Sequence, residues 1–99
     1  MRVFLLILIL LRLAFAEELI SFQAKEYFLE GVNAQKQGDF FNARVFYQKV
    51  FLVAPQDIQY RKFILNNIGV MLMQVGNLEE AEKLFSSALE IDPDYKPAK

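Results

Sequence analysis

Two short stretches near the end of the chain, GNLEEA at residues 76–81 and ALEIDP at residues 88–93, decide the fold. Each has a partner earlier in the sequence, because the same kinds of residue recur at a constant distance of 38 positions. The first set consists of Glu30-Gly31, Gly38-Asp39-Phe40, Ala43, Tyr47 and Pro55. The second set, 38 positions later, consists of Ile68-Gly69, Gly76-Asn77-Leu78, Ala81, Phe85 and Pro93. A fixed period of this length indicates a tandem repeat of one supersecondary unit.

The order of glycine, glycine, alanine, aromatic residue and proline in each unit resembles the tetratricopeptide repeat, whose length is roughly 34 residues. The resemblance covers residues 24–57 and 62–95 and is strongest at residues 76–93. It implies an all-α protein in which two tandem helix-turn-helix hairpins form a short right-handed α-solenoid. It also implies a role in binding other proteins.

Glycine and alanine are expected where the two helices of a hairpin cross. Gly31 and Gly69 lack a Cβ atom, which permits close approach of the helix backbones. Ala43 and Ala81 would lie opposite them on the second helix of each hairpin, where a larger side chain would push the helices apart.

Each hairpin also carries signals for the end of one helix and the start of the next. Gly38 and Gly76 suit the left-handed conformation that ends a helix. Asp39 and Asn77 can then cap the following helix, and Asn77 with Glu80 three residues later resembles a capping box.

Pro55 and Pro93 mark points at which the second helix of each hairpin must already have ended. The predicted helices cover about 19–37, 40–53, 57–75 and 78–91. Because the internal repeat exceeds the family length by the four residues 58–61, the third helix is expected to begin about one turn early.

The first sixteen residues have the features of an export signal. A positive start at Arg2 precedes the apolar run Val3–Leu11, and Ala14 and Ala16 form a small-x-small cleavage motif. We expect a signal helix at 1–16, cleaved after Ala16, with transient membrane contact and delivery to a bacterial periplasm or envelope. The alternative is an uncleaved N-terminus anchored to the cytoplasmic membrane. Residues 17–57 are expected to hold a leading segment and the first repeat. Residues 58–95 would form the second repeat, and residues 96–99 would be the start of a truncated third repeat.

The composition of the 99 residues argues against several function classes. The chain has no Cys and no His, so thiolate nucleophiles, imidazole bases and the usual zinc ligands are missing. Residues 17–99 hold nine basic and twelve acidic side chains, a net charge of −3, which does not suit a nucleic-acid partner. We therefore expect no catalytic residue, no metal, no cofactor and no enzymatic activity.

The resemblance places the binding surface on the inner, concave face, which the first helix of each hairpin lines. Helical spacing puts a mixture of apolar, amide and amine side chains there, which suits an extended peptide or an amphipathic helix. The predicted groove residues are Lys25, Phe28, Val32, Gln35, Lys36, Phe63, Asn66, Val70, Met73 and Gln74. Alternatively, Phe28, Val32, Phe63 and Met73 belong to the core.

The leading functional hypothesis is a protein-binding adaptor or scaffold that performs no chemistry. A second hypothesis is a structural unit that self-associates through its uncapped last helix, by way of Phe85 and Leu89. A third is a carrier of an apolar small molecule, held in an enclosed cavity near Phe28, Phe63 and Met73.

Overall fold

The computed structural model describes residues 2–96 and contains four α-helices. Their bounds are α1 Arg2–Lys36, α2 Phe40–Val53, α3 Ile58–Gln74 and α4 Leu78–Ile91. Helix α1 packs along α2 and α3 packs along α4, while α2 also contacts α3. The predicted fold class is confirmed: two helical hairpins of tetratricopeptide-like form stand side by side in an all-α arrangement.

The turn inside the first hairpin is set by Gly38, whose φ of 79° lies in the left-handed region. Its backbone N–H donates to the carbonyl of Gln35, and the next N–H, of Asp39, donates to Ala34 at 2.9 Å. Together these two bonds satisfy carbonyls that the end of α1 would leave unpaired. The Asp39 carboxylate then accepts from the backbone N–H of Asn42 and caps α2, as predicted.

The turn inside the second hairpin repeats this arrangement at Gly76, whose φ is 88°. Asn77 caps α4 by accepting from the backbone N–H of Glu80. The predicted capping box is only half present, because the Glu80 carboxylate accepts from the Asn77 side-chain amide at 2.9 Å. The Asn77 backbone N–H is already bonded to the carbonyl of Leu72, so it is not free to donate to Glu80.

The connection between the hairpins confirms the early start of the third helix, at Ile58. Asp57, which the sequence analysis did not single out, caps this helix by accepting from the backbone N–H of Tyr60 at 3.1 Å. Pro55 and Pro93 each follow the last residue of a helix by two positions.

The core lies where the two hairpins meet. It consists of Ala24, Ala34, Ala43, Tyr47, Val50, Ile64 and Met71. Ala81 and Ala88 are buried between α3 and α4. At the two glycines predicted to permit close approach of the helices, a Cβ on Gly31 would lie 2.5 Å from Cε1 of Tyr47 and one on Gly69 would lie 2.7 Å from Cε1 of Phe85. The space left by each glycine therefore holds an aromatic ring.

Helix α1 begins at Arg2, far before the predicted start at about residue 19. Residues 12–24 contain no Gly or Pro, so nothing in the backbone separates the apolar segment from the first hairpin. Every side chain from Arg2 to Gln23 is exposed, and Ala24 is the first buried residue. The apolar segment is therefore continuous with the domain but takes no part in its core.

Among the described residues, no helix combines the length and the apolar character needed to cross a bilayer. Of the predicted start of a third repeat, only Lys96 falls within the described residues, and it is not helical. The rest of that prediction, 97–99, lies outside them.

Candidate functional site

The ten residues predicted to line a groove fall on α1 and α3, as expected, but they differ in what they contact. Phe28 lies among aromatic rings, with centroids 5.3 Å from Tyr60, 6.0 Å from Tyr47 and 6.4 Å from Phe63. Phe28 and Val32 are half-buried and pack against the core. These two side chains are occupied by the contact between the hairpins.

Gln35 joins α1 to both neighbouring helices through hydrogen bonds. Its Oε1 accepts from the hydroxyl of Tyr47 at 2.7 Å, and its Nε2 donates to the backbone carbonyl of Asn67 at 3.4 Å. The Asn67 side-chain amide donates in turn to the Tyr47 hydroxyl at 3.2 Å. Because a buried hydroxyl needs partners, this network fixes the position of the second hairpin on the first.

In the second hairpin, Phe63 is half-buried and its ring meets that of Tyr95, with centroids 5.8 Å apart. Beside it, Lys62 forms an ion pair with Asp92 at 3.1 Å and lies about 5 Å from the centroids of both rings. Lys62 is only 7% exposed, so this cluster ties the start of α3 to the segment that follows α4. This cluster could not be predicted from the sequence, because Lys62 and Asp92 are 30 residues apart.

Asn66 is buried, with 5% exposure, and Val70 is half-buried. The other four predicted groove residues, Lys25, Lys36, Met73 and Gln74, are exposed. The predicted set therefore divides into residues that hold the hairpins together and residues that present their side chains to solvent. Lys36 and Gln74, the last residues of α1 and α3, are equivalent positions in the two repeats.

An apolar cleft of about 150 Å³ lies between the start of α2 and the end of α3. It is lined by Phe40, Arg44, Ile68, Met71, Leu72 and Val75. This cleft is partly open at the surface and includes none of the three residues proposed to hold a small molecule. The room around Phe28 is taken by aromatic rings instead.

Two tyrosines have altered acidity. Burial raises the pKa of Tyr47, and the hydrogen bond from Asn67 partly opposes this change. Burial also raises the pKa of Tyr60, and the negative charge of Asp57 adds to the effect. Both side chains are neutral near pH 7 and act as packing and hydrogen-bonding groups. Among residues 2–96, no three acidic side chains are grouped so as to hold a metal ion.

The geometry defines the class of protein as a helical-hairpin repeat protein in which some side chains of α1 and α3 are exposed to solvent. The family model described as tetratricopeptide repeat matches residues 63–95, which form most of the second hairpin. This segment is thus similar to a tetratricopeptide repeat, a unit that typically mediates binding to other proteins. Neither the curated proteins nor the solved structures include one that matches the chain.

Proposed function

We propose that the protein is an exported protein-interaction module that binds a peptide or helix of another protein and performs no chemistry. The observation that carries this proposal is the exposure of four of the predicted groove residues, Lys25, Lys36, Met73 and Gln74, on a scaffold of two packed hairpins. Tetratricopeptide similarity over residues 63–95 supports the same role.

The exposed groove positions have the chemistry of a peptide-binding surface. Lys25 and Lys36 supply ammonium groups, Gln74 an amide and Met73 a flexible apolar side chain that is 49% exposed. The half-buried Val70 lies one helical turn before Met73 and Gln74. Such a combination gives apolar contact area together with hydrogen bonds to a peptide backbone.

Export is supported by the division of α1 into two parts. The segment before Ala24 makes no buried contact, so removal of residues 1–16 leaves every core residue in place. After cleavage, Glu17 and Glu18 would occupy the first turn of the helix, where carboxylates interact favourably with the helix dipole. We place the mature protein in a bacterial periplasm or envelope.

Site-specific photo-crosslinking in intact cells tests the binding role. A photoreactive residue at Gln74 is expected to capture another protein, because the side chain is exposed on the groove face. The matched control is Gln48, which is equally polar and exposed but lies on α2. Capture of the same bands from both positions, or from neither, would contradict a groove that binds protein.

Mass spectrometry of the protein from fractionated cells tests the export role. The expected product begins at Glu17 and is found in the envelope fraction. An intact chain in the envelope would favour the anchored alternative, and an intact chain in the cytoplasmic fraction would refute export.

A further inference from the structure

The internal repeat shows what normally covers the outer side of the second helix in a hairpin. On α2, one stripe at helical spacing is turned toward α3 and consists of Phe40, Arg44, Tyr47 and Phe51, with Ala54 at the C-cap of the helix. Adding 38 to each number gives the equivalent stripe on α4, which consists of Leu78, Glu82, Phe85 and Leu89, with Asp92 at the C-cap. The two stripes can therefore be compared position by position.

In the first repeat the stripe is covered by the chain itself. Phe40 and Arg44 line a common cleft with α3 residues, the Tyr47 hydroxyl accepts from Asn67 of α3, and Phe51 packs against the core. Tyr47 is fully buried as a result. Helix α3 thus occupies the groove between α1 and α2.

In the second repeat the equivalent groove, between α3 and α4, is open. Leu78 is 62% exposed, Leu89 is 45% exposed and Met73, at the position equivalent to Gln35, is 49% exposed. Tyr95 covers only the end of the groove near Phe63. Within the part of the chain that the structure describes, no helix lies where α3 lies on the first repeat.

The charge in the stripe of α4 indicates the kind of helix that fits the open groove. Glu82 lies in this stripe and is exposed, and its equivalent on α2 is Arg44, which lines a cleft with α3 residues. Glu79 and Glu90 lie away from the groove, because their equivalents Phe41 and Leu52 are 78% and 80% exposed and are not covered by α3. A helix bound to α4 would therefore meet the carboxylate of Glu82 where α3 meets the guanidinium group of Arg44.

The exposed end of the first repeat does not supply such a helix. Helix α3 contacts α2 through residues that include Ile64, Ile68 and Met71. The equivalent positions on α1 carry Glu26, Glu30 and Asn33, all exposed. If α1 of a second copy took the position of α3, it would bring carboxylates against Glu82 and polar groups against leucines, which is unfavourable.

We propose that the groove between α3 and α4 binds an amphipathic helix of another protein, in the position that α3 takes on the first repeat. The bound helix would place an apolar stripe on Met73, Leu78, Phe85 and Leu89 and a basic residue beside Glu82. This inference rests on the proposed function and specifies the site and the chemistry of the partner.

The chain contains a template for the test. Residues 58–74 of α3 include two basic residues, Arg61 and Lys62, and no acidic residue. The probe is a fluorescent peptide of residues 57–75 in which Leu72, a neighbour of Arg44 in the cleft, is replaced by Lys. Its affinity for the full-length chain, kept in solution by a mild detergent, is measured by fluorescence anisotropy against detergent alone.

We expect Leu89→Asp to weaken binding at least about tenfold, since it places a charge in the apolar stripe. Glu82→Lys is expected to weaken it about fivefold and to favour a second probe carrying Glu at position 72. The matched control is Arg44→Glu at the equivalent position of the first repeat, where α3 already fills the groove. This variant should bind both probes as the unmodified chain does.

Absence of saturable binding would overturn the inference, and so would equal effects of Arg44→Glu and Glu82→Lys. Formation of dimers that Leu89→Asp abolishes would overturn it too, because a second copy would then cover the groove. Crosslinks from Gln74 without probe binding would leave the proposed function intact and refute only the helix site. Probe binding without any cellular crosslink would support the helix site and contradict the proposed function.

Discussion

Gly31 and Tyr47 determine how closely α1 and α2 approach each other. The ring of Tyr47 fills the position that a side chain at residue 31 would need, and Tyr47 is fully buried. Gly69 and Phe85 form the equivalent pair in the second hairpin, but Phe85 is half-buried and therefore has more room to move.

Gly31→Ala is expected to lower the free energy of unfolding by about 1–3 kcal/mol, as is usual when a well-packed core is overfilled. The loss should exceed that of Gly69→Ala, because the Phe85 ring can shift toward solvent. Urea unfolding followed by circular dichroism measures both. A stabilised Gly31→Ala chain, or a larger loss at Gly69, would mean that the rings do not limit the approach of the helices.

The Tyr47 hydroxyl connects three helices through Gln35 and Asn67. Replacement by Phe leaves both amides without this partner and is expected to cost about 1–3 kcal/mol of stability. Tyr47 should also make stability fall at high pH. Its pKa is raised on folding, so from about pH 10 the unfolded chain loses the phenol proton while the folded chain still holds it.

Stability measured by urea unfolding between pH 8 and pH 11 checks this point. The decline above pH 10 should be smaller in Tyr47→Phe than in Tyr60→Phe, because Tyr60 is less buried than Tyr47. A decline in Tyr47→Phe as steep as that of the unmodified chain would show that Tyr47 does not contribute to it.

The residues that end one helix and cap the next within each repeat could be predicted from the sequence, because their roles are local. Gly38 and Asp39 act within one turn of the chain. Gly38 ends α1 with a positive φ, and the Asp39 side chain caps α2. The partners of Gln35 and Lys62 could not be predicted, since they come from residues distant in sequence. For the same reason, the sequence could not show that Phe28 lies under the second hairpin.

At the scale of the helices, the turns and caps decide where each element ends. Gly38 and Gly76 both have positive φ, and no neighbouring atom lies within 4 Å of a Cβ built at either position. Any loss of stability on substitution there must come from backbone strain and not from a clash.

Gly76→Ala is expected to destabilise the chain by about 1–2 kcal/mol, the usual cost of a left-handed conformation for a residue with a Cβ atom. Gly76→Asn should cost less, because Asn tolerates this conformation better. Thermal unfolding of the two variants measures the difference. If both variants were equally unstable, crowding and not strain would be the cause.

Three of the four helices have the predicted bounds to within one residue, whereas α1 does not. The apolar segment and the first hairpin differ in composition, and composition suggested a boundary between them. Backbone continuity depends on other signals, and residues 12–24 contain none that end a helix. A change of composition along the chain therefore need not coincide with the end of a helix.

At the scale of the whole molecule, α1 has two parts. Residues 24–36 carry all of its buried side chains, and the part before them, which contains the apolar run Val3–Leu11, is exposed. Helix α1 has 35 residues and is about 52 Å long at a rise of roughly 1.5 Å per residue, which accounts for most of the 63 Å long axis of the molecule.

Deletion of residues 1–16 is expected to leave the thermal unfolding midpoint of the hairpins almost unchanged, because no core contact is lost. Circular dichroism of the shortened chain and of the full-length chain in the same mild detergent tests this expectation. A shortened chain that unfolds without a cooperative transition would show that the apolar segment stabilises the domain after all.

The two ends of the molecule differ in a way that bears on its function. The end formed by α1 exposes Glu26 and Glu30, whereas the end formed by α4 exposes Leu78 and Leu89 beside acidic residues. The carboxylates of Glu26 and Glu30 do not suit a groove that contains Glu82, so the proposed occupant of this groove is a helix from a different protein. The account thus requires that copies of the chain do not cover this groove for each other.

The measurement that tests the central claim most directly is the molar mass of residues 17–99 in solution, from light scattering coupled to size exclusion over a range of concentrations. The account predicts the mass of a single chain throughout, with the groove between α3 and α4 left free for another protein. A mass that rises to that of a dimer or larger species, and returns to that of one chain in Leu89→Asp, would contradict it and favour a self-assembling unit.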